Sequence, residues 1–197
     1  MSCLIRKFYL CRYYSEPFMK KHFLLYLLLP VFFFIGCKKE VSELPPATQT
    51  GANTFGLKID GQFWVPAGFG IVPTAPTLEA HFIGNDLRIN ARNFSSSPTE
   101  TEFELFITGV TEPGIYLLNT TVGYPSSAAS YGYYVHRKLT PDNEWMTSTQ
   151  YTGSVTISKI DTVNKFVSGT FEFQAINLYN TPQPVSITEG RFDVKTQ

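Results

Sequence analysis

Cysteine is nearly missing from this sequence. Of 197 residues only Cys3, Cys11 and Cys37 carry a thiol, and all three fall in the first 37 positions. Everything beyond Cys37 is therefore without a disulfide framework, a thiol nucleophile or a thiolate metal ligand. Histidine is scarce as well. His22, His81 and His136 have no cysteine or second histidine at ligand spacing, so no metal site is expected. Charged residues make up 16% and the formal net charge is zero. That zero hides an asymmetry. Ahead of Cys37 stand five bases and one acid, which leaves 11 bases, 15 acids and a net charge of −4 after it. A mildly acidic chain lacks the basic face that phosphate backbones require, so no nucleic-acid partner is expected. No GxSxG elbow, phosphate loop or Rossmann glycine pattern occurs. No cofactor is expected, and the chain does not read as an enzyme.

What is present is aromatic and β-branched. There are 17 Phe and 11 Tyr, with 14 Gly and 13 Pro spread between short apolar runs. Such residues fit pleated, half-buried surfaces, and the composition predicts an all-β domain.

The first segment reads differently. Met19-Lys20-Lys21-His22 is followed by 13 residues, Phe23 to Ile35, that are apolar apart from the Tyr26 hydroxyl. About 20 residues are needed to cross a bilayer as a helix, and this run fits the apolar region of a secretory signal peptide instead. It ends Phe34-Ile35-Gly36-Cys37, which resembles the lipobox of bacterial lipoproteins, with Phe34 where Leu is usual. That resemblance implies cleavage between Gly36 and Cys37, a diacylglyceryl group on the Cys37 thiol and an acyl chain such as palmitate on the new amino group. Two or three acyl chains hold a protein stably on a membrane. Lys38, where an Asp would retain a lipoprotein in the inner membrane, points to the cell outer membrane, on its periplasmic face or at the cell surface. Residues 1–36 are thus expected to be the signal-peptide region, a helix in the precursor, with Met19 as its natural start.

Residues 37–53 follow as the lipidated cysteine and a flexible linker, rich in Pro, Thr, Gln, Gly and Ala. The domain is expected over 54–197. Thr54 to Ile59 alternates, Asp60-Gly61 is a two-residue hairpin turn, and Gln62 to Val65 returns. Leu78 to Ile83 and Leu87 to Phe94 form a second hairpin. In Glu102 to Val110, Phe103, Leu105 and Ile107 take one face and Glu102, Glu104 and Phe106 the other. Glu112-Pro113-Gly114 reads as a type II turn before Ile115 to Leu118. Residues 119–132 read as a long loop, and Tyr133 to Lys138 as a strand. Gln150 to Ile160, Phe166 to Ile176 and Val185 to Lys195 make a meander. The parity of the last strand changes between Ile187 and Phe192, which predicts a β-bulge with Gly190 supplying the unusual φ, in preference to a tight hairpin at Glu189-Gly190 whose arms would be very short. The expected architecture is an antiparallel β-sandwich or partly closed barrel of nine to ten strands.

The ending Gly169-Thr-Phe-Glu-Phe-Gln-Ala175 and Val185-Ser-Ile-Thr-Glu-Gly-Arg-Phe192, with the Phe55 to Trp64 opening, resembles an uncharacterised family of bacterial lipoprotein domains. The resemblance implies an address and a fold, and no activity.

For function the informative residues are Tyr124, Tyr131, Tyr133 and Tyr134, with Trp64 and Trp145 as additions. Tyr combines a flat apolar face with a hydroxyl and suits a glycan or an envelope protein, the alternative being that these tyrosines simply pack at a sheet edge. Glu100, Glu102 and Glu104 alternate, as a cation-binding stripe or a solvated face would. Asp161-Thr162-Val163 resembles a bacterial O-glycosylation acceptor. The expected function is a membrane-anchored, non-enzymatic binding or structural domain of the cell envelope. A calycin-like barrel holding a small apolar ligand is the alternative, and a glycan-active hydrolase stands third.

Overall fold

The computed structural model describes residues 41–68, 76–95, 99–137, 143–179 and 183–197. The expected signal-peptide region, 1–36, with Cys37 and its flank Phe34, Ile35 and Gly36, lies outside them. The described residues form eleven strands and no helix. The strands are β1 (Thr54–Ile59), β2 (Gln62–Trp64), β3 (Leu78–Ile83), β4 (Asp86–Asn93), β5 (Thr101–Ile107), β6 (Gly114–Leu118), β7 (Tyr131–His136), β8 (Glu144–Met146), β9 (Gly153–Asp161), β10 (Phe166–Asn177) and β11 (Val185–Lys195). All strand pairs are antiparallel. The order β2-β1-β11-β10-β8-β7-β5-β4-β3, with β9 on β10 and β6 on β9, makes a curled half-barrel.

The long strand β10 joins the two halves of this curl. Along most of its length it lies between β11 and β9, and its last two residues, Ile176 and Asn177, pair with Met146 and Trp145 of β8. The far ends of the sheet approach each other. Ala67, just past β2, forms an isolated parallel bridge with Asn93 of β4, and the Gln197 amide donates to Ala80 O of β3. These contacts give the outer strands hydrogen-bond partners that an open edge would lack.

Alternation puts one set of side chains inside. Phe55, Leu57, Ile89, Phe103, Leu105, Val155, Ile157, Phe171, Phe173, Ile187 and Val194 belong to one continuous buried cluster. An aromatic chain crosses it. Phe55 meets Trp64 at 6.1 Å between centroids, Trp64 meets Phe103 at 4.8 Å, Phe103 meets Tyr134 at 4.6 Å, and Tyr134 meets Trp145 at 5.2 Å.

The bulge lies where the changed parity predicts it, since the register of β11 against both β1 and β10 shifts around Glu189. The residue with positive φ is Glu189 (51°), not Gly190. Gly190 has a different task. It pairs with Phe171, and Gly169 pairs with Phe192. A Cβ on either glycine would lie 2.6 Å from the ring of its partner. Each glycine thus gives its bare backbone to the aromatic ring across the strand pair. This reciprocal packing explains the Gly-x-Phe that occurs in both strands.

Other differences are local. Asp60 and Gly61 both have positive φ, as the hairpin requires. Gly114 does not, so the type II turn at 112–114 is not formed; Gly109 (φ 68°) makes the left-handed step instead. Strand β8 was not expected, because three residues are too few to show a period. Strand β7 begins at Tyr131, inside the expected loop. Part of the expected flexible linker, residues 44–53, lies against the sheet. Leu44 and Pro45 rest over Gly56, and the amides of Thr50, Gly51 and Ala52 donate to Asp193.

Candidate functional site

The outer face of β5, β7 and β8 carries a second, smaller buried cluster of Phe106, Tyr131, Tyr133, Val135 and Met146, with Val122 packed against it. Residues of the opposite parity to the core build it, so in an ordinary sandwich they would be solvated. The coil between β6 and β7 covers them. It is held at one end by the Thr108 amide donating to Ser130 Oγ (2.9 Å) and at the other by the Thr149 amide donating to Thr121 Oγ1 (3.0 Å).

The four predicted tyrosines do not form one surface. Tyr133 and Tyr134 are adjacent in a strand and so face opposite ways. Tyr134 belongs to the main core, stacked between Phe103 and Trp145. Tyr131 and Tyr133 are buried under the covering coil. Only Tyr124 is exposed, at 37%. Its ring lies parallel on Tyr133, 3.7 Å between centroids and 3° between planes, and edge-on to Tyr131 at 6.1 Å. Trp64 is buried in the core and its Nε1 donates to Thr101 Oγ1, while Trp145 donates to Gln183 O. Neither tryptophan joins Tyr124.

Beneath the tyrosines sits a buried carboxylate, Glu104, which the sequence places in a glutamate stripe and not beside the tyrosines. Glu104 accepts from the Tyr131 hydroxyl through Oε1 (2.5 Å) and from the Asn90 amide through Oε2 (2.8 Å). The Arg88 guanidinium lies 3.7 Å from Oε1 and over the Phe106 ring at 5.3 Å. Register explains the grouping, since Arg88 pairs with Phe106, Asn90 with Glu104 and Arg92 with Glu102. The signal available in the sequence was the matching parity of Arg88, Asn90 and Arg92 with Glu102 and Glu104 on neighbouring strands.

Two of the three glutamates of the stripe, Glu102 and Glu104, are engaged by arginines, while Glu100 Oε2 is buried without a hydrogen-bond partner among the described residues. Glu102 binds Arg92 Nε at 3.1 Å and Arg137 Nη2 at 2.7 Å, and Arg92 also reaches Glu79. Carboxylates engaged in this way are poor cation ligands, because a cation would have to displace the guanidinium groups. His81 on β3 and His136 on β7 are separated in the sheet by β4 and β5. At the β9–β10 turn, Asp161 accepts from the amides of Val163 and Asn164, and Val163 is exposed. A depression of about 500 Å³ beside Thr50 and Gly51 is lined by Lys159, Asp161, Asn164 and Lys195, away from the tyrosines.

Burial pushes the Tyr124 and Tyr134 hydroxyls up to about 12, Tyr124 with help from Glu104 and Glu102. Tyr131 and Tyr133 move further in the same direction, first through burial and then through hydrogen bonds to Glu104 and Glu144. A hydroxyl whose folded pKa is raised stabilises the fold below its unfolded value near 10, and that stability is lost as pH rises through the folded value. The domain is therefore expected to unfold cooperatively between about pH 10 and 12. A spectrophotometric titration should show the buried phenolates appearing together with loss of the β-sheet signal. Phenolates appearing one by one with the sheet intact would contradict the burial.

Chemically the site offers a supported aromatic face at Tyr124 and a guanidinium at Arg88, groups suited to holding a sugar ring or a protein side chain. Comparison with curated proteins and with solved structures found no match. Residues 54–194 match the family described as a domain of unknown function (DUF6252), and the chain belongs to that family.

Proposed function

We propose that this chain is a lipoprotein of the cell envelope, anchored through acyl chains on Cys37 and delivered to the outer membrane, whose β domain is a non-enzymatic binding or structural module. The observation that carries the reading is the apolar run Phe23 to Ile35 closing on Gly36-Cys37, ahead of a chain with no further cysteine. Tyr124 is the residue best placed for contact with a glycan or an envelope protein, since its ring is backed by Tyr133 and open to solvent. Tyr131 and Tyr133 support it from below. Side chains from both halves of the sheet fill the interior, so no observation favours the apolar-ligand reading.

The anchor is tested with a clickable palmitate analogue in a bacterial host. The full chain is expected to take up label and sediment with membranes, and Cys37→Ser to do neither. A Cys37→Ser protein that stays labelled and membrane-bound would sink the proposal. Binding is tested by screening glycans and envelope proteins with the wild type and with Tyr124→Ala, which leaves the buried tyrosines in place. Loss of at least about tenfold in affinity is expected for a stacking contact. A bound partner indifferent to Tyr124→Ala would rule out this contact.

A further inference from the structure

Asp193 sits on β11 with its side chain on the outer face, yet it is only 1% exposed. Its Oδ2 accepts from Thr48 Oγ1 at 2.6 Å and from the amides of Thr50 and Ala52, each at 3.0 Å. Its Oδ1 accepts from the Gly51 amide at 2.9 Å and from Ser168 Oγ at 2.7 Å. Gly51 and Asn53 have φ of 73° and 57°, and these left-handed steps help aim three successive N–H groups at one carboxylate. Backbone N–H groups gathered in this way form a concave anion receptor. Burial by itself would raise the Asp193 carboxyl. The bonds from Thr48, Ala52, Ser168 and Thr50 outweigh it and hold the group well below the usual carboxylate range.

A second contact lies upstream and is independent of the carboxylate. A Cβ at Gly56 would stand 2.6 Å from Pro45 Cδ and 3.3 Å from Leu44 Cδ2, so Leu44 and Pro45 lie directly on the bare backbone of β1. Between the two contacts, the Gln49 carbonyl accepts from Lys159 Nζ at 3.3 Å. The segment making these contacts, Leu44 to Asn53, precedes position 54, where the family match begins, whereas its partners Gly56, Lys159, Ser168 and Asp193 lie inside the match.

We infer that residues 44–53 are a strap latched to the outer face of the sheet by the Asp193 carboxylate, so that the folding unit takes in Leu44 to Asn53 ahead of β1. Holding residues 44–53 on the sheet takes ten residues, about 35 Å of extended reach, out of the expected linker. A short tether keeps the domain close to its anchor. That consequence rests on lipidation at Cys37, whereas the latch does not.

Hydrogen exchange read by mass spectrometry on the full chain in detergent tests the latch. In the wild type the amides of Thr50, Gly51 and Ala52 are expected to exchange at least about 100-fold more slowly than in an open coil. Asp193→Asn replaces one acceptor oxygen by a donor and is expected to abolish that protection. It should also speed proteolysis within 44–52 at least about tenfold while leaving the remainder intact. Gly56→Ala drives Pro45 off β1 and is expected to loosen 44–47 while 50–52 stay protected. Should Asp193→Asn fail to fold, exchange in the wild type decides alone. Coil-like exchange at 50–52 in the wild type, or equal protection in wild type and Asp193→Asn, overturns the latch. Protection at 50–52 in a chain without lipid on Cys37 would remove the anchor and leave the latch standing.

Discussion

Replacing Phe103 with Ala is expected to lower the unfolding free energy by about 3–5 kcal/mol. The ring is 1% exposed and sits in the aromatic chain between Trp64 and Tyr134, at 4.8 and 4.6 Å. Strand β5 lies between β4 and β7, where Phe103 is opposite Ala91 and Tyr134. Those strands are fixed by their own ladders, so the hole left by the ring closes poorly and the cavity adds to the lost burial. A domain of this kind is stable by about 5–15 kcal/mol in all, so the loss is a large share of it. Urea unfolding should show a lower midpoint with an unchanged slope. Phe63→Ala serves as the comparison, because Phe63 is exposed at the end of the sheet. It is expected to cost less than about 1 kcal/mol. Similar losses for the two variants would contradict the placement of Phe103.

Glu104→Ala is expected to be the next most damaging change, at about 2–4 kcal/mol. It leaves the Tyr131 hydroxyl and the Asn90 amide without their acceptor and takes from Arg88 its carboxylate. Buried donors without partners cost about 1–3 kcal/mol each, and the partly exposed Arg88 recovers some of its share from water. Glu104→Gln keeps the shape and one acceptor and should cost about half as much. Tyr131→Phe removes one hydroxyl and should cost about 1 kcal/mol. The double variant Glu104→Ala/Tyr131→Phe should cost less than the sum by about 1 kcal/mol, since both changes break one hydrogen bond. Strict additivity would show that the Tyr131 hydroxyl bonds elsewhere.

The strands were legible wherever they are long enough to alternate. Phe103, Leu105 and Ile107 against Glu102, Glu104 and Phe106 is a period of two that only a strand satisfies, and it places β5 correctly. The parity change in β11 revealed the bulge. The residue that takes the strained φ was not legible, because Gly190 is glycine for a reason two strands' geometry supplies: the ring of Phe171 occupies the space of its side chain. Strand β8 stayed hidden at three residues, and it is formed because Met146 and Trp145 complete the ladder at the end of β10.

The candidate site was legible in part. Of the four tyrosines that the sequence groups, Tyr124 alone is exposed, and the opposite facing of Tyr133 and Tyr134 follows from their adjacency. Burial of Tyr131 and Tyr133 depends on where a coil of low regularity comes to rest, which no periodicity encodes. The strap was missed for a related reason. Thr48-Gln-Thr-Gly-Ala52 reads as a linker, because its bonds are made mostly by main-chain amides to a carboxylate more than 140 residues away. A lone Asp amid the apolar alternation of β11 was the trace it left in the sequence.

The central claim is that Cys37 becomes the lipidated first residue of the mature protein. Mass spectrometry of the N-terminal peptide, taken from the chain purified out of bacterial membranes in detergent, tests it most directly. The account predicts a peptide that begins at Cys37 and carries a diacylglyceryl group together with an amide-linked acyl chain. A peptide that retains Gly36, or one that begins elsewhere and carries no lipid, would contradict it.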